Sequence, residues 1–124
     1  MKNLIEQYSS LLPLGKSISS SESERRASLF LEAVAKVTDM RHQFAEQKIR
    51  ATSVQASVYA QELAKGTAKT MTENKVTAEA SAEYAAAREE LEDIENDTNY
   101  LRAYFDIFMA AHVFYRQCAK GEQF

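Results

Sequence analysis

Between residues 22 and 65 apolar side chains return at every seventh position. Phe30, Val37, Phe44, Ala51 and Val58 form one ladder, and Ala33, Met40, Gln47, Val54 and Gln61 fill the complementary seam position. Five repeats of this pattern predict a coiled-coil helix face rather than a globular one. Residues 82–120 repeat the arithmetic. Tyr84, Leu91, Thr98, Phe105, His112 and Ala119 make one ladder, and Ala87, Ile94, Leu101, Phe108 and Tyr115 the other.

The signals between these ladders define their ends. Ser21 and Glu24 have capping-box spacing, so the first long helix is expected from about Glu22 to Lys65, with Gly66 as its stop. Residues 67–72 read as a turn and 72–80 as a short helix, with Ser81 available to cap the last helix. Lys120-Gly121 marks its end. Two long helices joined by so short a connection must run antiparallel. Numbers adding to roughly 148 should then face each other, which puts Arg50 near Asp97 and Lys65 near Glu83.

A short amphipathic helix is expected over residues 3–12, with Leu4, Ile5, Tyr8, Leu11 and Leu12 on one side. Pro13, Gly15 and the serines Ser17, Ser19, Ser20 and Ser21 break it. The expected architecture is all-α: a single domain over 1–124, with a short helix and linker over 1–21 and a long helical hairpin over 22–121.

A second apolar stripe in the last helix changes this picture. Tyr100, Tyr104, Ile107, Ala111, Phe114 and Cys118 lie at spacings of three and four beside the first seam, so residues 100–118 are apolar nearly all round. One partner helix cannot cover them. The N-terminal helix and self-association are both expected to contribute, with Tyr100, Tyr104, Ile107 and Phe114 as the oligomer face.

Composition narrows the function classes. Three glycines, one proline and no tryptophan among 124 residues leave few places for the turns of a β fold. One cysteine, Cys118, cannot build an internal disulfide framework. The N-terminus is too polar for a secretory signal core, and no window offers the roughly 18–20 apolar residues of a membrane span. A cytoplasmic location follows as the expectation.

The chemistry-bearing residues are sparse. His112 falls on a seam among aromatic residues and reads as a hydrogen-bonded core histidine, while His42 faces outward. No metal-ligand spacing, phosphate loop or nucleophile elbow occurs, so no metal, cofactor or enzymatic activity is expected. The acidic run Glu89, Glu90, Glu92, Asp93, Glu95 and Asp97 lies inside a helix and reads as a solvated face.

Charge is unevenly spread. Residues 1–70 hold ten Lys/Arg against seven Asp/Glu, and residues 71–124 hold five against eleven, within a net charge of −3. Lys36, Arg41, Lys48 and Arg50 flank the first seam. Repeated around a ring of subunits, such flanks would form a continuous phosphate-binding track.

The stretch Thr72–Gly121 presents a Thr-Glu short helix, a break before Glu83-Tyr84, an acidic amphipathic helix, an aromatic middle and a late arginine, Arg116. With Ala45–Gly66 before it, this layout resembles the bacteriophage recombination mediators of the UvsY type, over roughly residues 27–121. The resemblance implies a homo-oligomer in the bacterial host cell that binds single-stranded DNA. It also implies help in loading a RecA-like recombinase where a single-strand-binding protein already sits. The family's basic Lys-x-Arg pair aligns with Ser53 and Gln55 here; Lys48 and Arg50 carry the same spacing one to two turns earlier. Lys48 and Arg50 are therefore expected as phosphate contacts, with Lys36 and Arg41 in support. The competing expectation is a protein-only interaction module, a coiled-coil adaptor or phage inhibitor of a host protein, that uses the acidic helix face.

Overall fold

The computed structural model describes residues 1–12 and 18–121, and the helix break expected at Pro13, Gly15 and Ser17 lies outside them. The described residues form four helices and no strand: α1 (Lys2–Ser9), α2 (Ser20–Ala64), α3 (Met71–Glu79) and α4 (Ala82–Ala119). Local side chains explain the boundaries. Ser19 Oγ accepts from the Glu22 amide at 3.1 Å, so α2 begins two residues before the expected capping box, on an identical Ser-x-x-Glu spacing. Thr70 caps α3 by accepting from the Glu73 amide at 3.2 Å, and Ser81 caps α4 by accepting from the Tyr84 amide at 3.1 Å.

Gly66 stops α2 for a steric reason rather than through a left-handed backbone. A Cβ there would lie 2.5 Å from the side chain of Asn74. Asn74 reaches that close because its amide clamps the turn, accepting from the Ala68 amide at 3.0 Å and donating to the Ala68 carbonyl at 3.4 Å.

The chain divides into two compact units, Met1–His42 with Tyr100–Phe124, and Gln43–Asn99. In the first unit α1, the start of α2 and the end of α4 share one core. Phe30 stacks on Tyr115 with centroids 5.9 Å apart and meets Phe108 at 5.8 Å. Tyr8 of α1 packs edge-on against Phe108 at 6.0 Å, and Tyr104 lies 5.5 Å from the same ring. Ile5, Tyr8, Phe30, Val37, Leu101, Phe108 and Tyr115 are all buried. Burying large side chains of this kind stabilises by about 1.5–3 kcal/mol each.

In the second unit α2 and α4 run antiparallel, with Tyr59 against Tyr84 at 5.4 Å and Lys48 against Glu95 at 3.7 Å. These partners lie about five residues short of the expected register. Arg50 accordingly turns to Glu46 of its own helix, at 3.9 Å, instead of meeting Asp97. Lys65 pairs with Glu62 at 2.9 Å, and Glu83 also raises its pKa through its charge.

Both ladders of α4 turn inward along both units, and so does the Phe30, Val37, Phe44, Ala51 and Val58 ladder of α2, but the complementary ladder of α2 does not. In the second unit its positions Gln47, Val54 and Gln61 are exposed, and Gln55 and Glu62 turn inward beside Ala51 and Val58 instead. Ala33, at the equivalent position in the first unit, is fully buried. Lys36, which donates to the Tyr8 hydroxyl, lies three residues from Ala33 and so on the same side of the helix. The complementary ladder is enclosed in the unit that holds α1 and open in the unit that holds α3.

Candidate functional site

The four cations expected to contact phosphate differ in how firmly they are held. Lys36 donates to the Tyr8 hydroxyl at 3.0 Å and pairs with Glu32 at 2.9 Å, with its ammonium 5.4 Å above the Tyr8 ring centroid. The Tyr8 hydroxyl and then Glu32 raise its pKa well above the ordinary lysine range, so its charge is committed to clamping α1. Arg41 lies over the Phe105 ring at 5.2 Å, where a cation and an aromatic face attract. Both belong to the first unit.

Lys48 and Arg50 belong to the second unit and are loosely paired. The Lys48–Glu95 contact spans 3.7 Å with side chains 49% and 46% exposed, and Arg50–Glu46 spans 3.9 Å at 73% and 76%. Ion pairs this long and this wet contribute about 0–1 kcal/mol, so either cation can exchange its carboxylate for a phosphate. Ser53, one of the two residues expected at the basic pair of UvsY-type proteins, is exposed, while the other, Gln55, is half-buried on the inward side of α2. A basic residue at 55 would bring its charge against the seam.

Of the expected oligomer face, Tyr100, Tyr104 and Phe114 are half-buried and Ile107 is 41% exposed. Tyr100 packs on Tyr104 at 4.9 Å, and Phe114 meets Tyr115 edge-on at 5.2 Å. Burial raises the Tyr100 pKa, followed by Tyr104 and then the charge of Glu6 on α1. The N-terminal helix thus supplies part of the cover that the aromatic stripe demands.

Elsewhere in the second unit the acidic residues Glu89, Glu90, Glu92 and Asp93 are exposed, while Glu95 and Asp97 are half-buried. By sequence this unit holds six Lys/Arg against eleven Asp/Glu, and the first unit nine against seven. A groove of about 270 Å³ runs beside the open ladder, walled by Arg50 and Val54 of α2 and by Glu90 and Ile94 of α4.

His112 is half-buried in the first unit, its Nδ1 2.8 Å from the Ala27 carbonyl, and His42 is exposed. Among the described residues no group of three or more His, Cys, Asp or Glu side chains is placed to hold a metal ion. Nor is any helix among them long and apolar enough to cross a membrane. Comparison of the chain with protein-family models, with curated proteins and with solved structures finds no match.

Proposed function

We propose that this protein is an oligomeric, single-stranded-DNA-binding mediator of phage recombination, in which Lys48 and Arg50 contact phosphate. What carries the reading is the loose, exposed state of these two cations at Lys-x-Arg spacing on one long helix. The order of elements supports it as well. A long helix stopped at glycine, a short Thr-Glu helix, a break at Ser81 and an acidic helix make up the layout behind the resemblance. Handing the strand to a recombinase beside a single-strand-binding protein is the role that resemblance implies. The acid excess of the same unit makes each site weak, so affinity must come from several subunits acting on one strand.

Anisotropy of a labelled single-stranded oligonucleotide, titrated at two salt concentrations, tests the proposal. Binding should weaken as salt rises, and Lys48→Gln with Arg50→Gln should reduce the salt slope by about 0.7 for each phosphate no longer neutralised. Absence of binding at low salt, or binding indifferent to salt, refutes it.

A protein-only module is the second reading. Glu89, Glu90, Glu92 and Asp93 favour it, being exposed with no cationic partner within ion-pair distance among the described residues. Reversing these four charges should abolish capture of a basic partner under this reading and leave DNA binding intact under the first.

A further inference from the structure

A groove of about 300 Å³ in the first unit takes no part in the proposal above. Its apolar wall is formed by Ala27, Leu31 and Ala119, and its charged rim by Glu24 of α2 with Arg116 and Lys120 of α4. Three features set it apart from ordinary helix surface. Leu31 is 50% exposed although it lies beside the best-packed core of the molecule. Arg116 and Lys120, one turn apart, have no carboxylate within ion-pair distance among the described residues. His112 also lines the groove, and because the Ala27 carbonyl can only accept, the ring's Nδ1 carries the proton in their 2.8 Å contact.

Two cations against one carboxylate favour an anion, and the exposed leucine favours something apolar beside it. A volume of this size suits a small molecule, near the lower end of ligand pockets. We infer that this groove binds a small aliphatic carboxylate, its headgroup between Arg116 and Lys120 and its chain laid over Leu31. Two neighbouring cations hold the head by charge-assisted hydrogen bonds, while the chain removes Leu31 from water. Glu24 opposes the headgroup and limits affinity.

Octanoate is the probe and acetate its chainless control, followed by NMR at the His112 ring and the Leu31 methyl groups. Octanoate should shift both sets of signals saturably, and acetate should bind at least about tenfold more weakly. Arg116→Gln with Lys120→Gln should weaken octanoate by about tenfold or more, and Glu24→Gln should tighten it. All three residues are exposed, so circular dichroism should show the variants folded. Lack of a saturable shift, equal binding of acetate, or octanoate affinity unchanged in the charge variants would overturn the assignment. Since Lys48 and Arg50 play no part here, failure of this experiment leaves the DNA-binding proposal standing, and the reverse also holds.

Discussion

Phe30, Leu101, Phe108 and Tyr115 are enclosed in the first unit, whereas the buried residues of the second are Ala51, Ala78 and Ala87. The two units share the same two long helices and much the same sevenfold spacing, yet they bury very different amounts of apolar surface. Alanine lets helices approach closely but removes little area from water, and stabilisation at roughly 25 cal/mol per Å² follows area. In the first unit α1 adds a third wall, held by Tyr8 against Phe108 and by Lys36 on the Tyr8 hydroxyl. The second unit has no equivalent along its open ladder. Ile49 is 72% exposed and Val54 50%. Spacing alone thus specifies a seam, and what packs along its outer side decides how much of that seam is closed.

The sharpest way to break this contrast is truncation on each side. Phe108→Ala should cost about 3–5 kcal/mol in urea denaturation, because it removes the ring that Tyr8, Phe30 and Tyr104 share. Val54→Ala should cost no more than about 0.5 kcal/mol. A destabilisation above about 1 kcal/mol at Val54 would mean that another chain covers the open ladder.

A smaller effect is expected where the second unit is locally rigid. Gly66→Ala should destabilise by about 1–3 kcal/mol, since the new methyl group displaces the Asn74 side chain and breaks its two bonds to Ala68. Combined with Asn74→Ala the two effects should fall well short of additive. Strict additivity would show that the clamp is not what makes glycine necessary.

Much of this architecture is legible along the chain. The sevenfold ladders predict two long helices, and Ser81 marks a true boundary because a cap depends on neighbouring residues alone; Gly66 marks another, although Asn74, eight residues on, is what makes glycine necessary there. Over residues 47–61 the α2 spacing places Ala51 and Val58 correctly but misplaces the complementary Gln47, Val54 and Gln61, because a heptad pattern is silent on whether anything packs along those positions. Register slips by about five residues for a related reason: the length of a connection holding its own helix and an Asn clamp cannot be counted as a simple turn. The candidate site is less legible. Glu32 four residues before Lys36, and Glu46 four before Arg50, are readable as local partners. Tyr8 is not, since its contact with Lys36 depends on where α1 docks. The groove beside Leu31 has no sequence signal because its walls come from residues about 85 apart, as the His112–Ala27 contact illustrates.

The smallest effect belongs to the start of α2 in the first unit. Arg25 and then Arg26, by hydrogen bonding, lower the Glu22 carboxyl from 4.5 to about 2. A carboxyl depressed in the folded state contributes stability above its unfolded pKa, and that contribution is lost as pH falls through the folded value. The loss should therefore develop between about pH 4.5 and 2, confined to the first turn of α2 and weakened by salt. A carboxyl-detected NMR titration of Glu22 checks this, and an ordinary midpoint would mean the fork with Arg25 does not persist in solution.

Residue-resolved amide hydrogen exchange under native conditions tests most directly whether stability is concentrated in the aromatic unit. Amides of residues 27–37 and 101–115 should be protected to near the global unfolding free energy, while residues 45–60 and 84–97 exchange through lower-energy local opening. Equal protection along both long helices, or slower exchange in the second unit, would contradict that concentration.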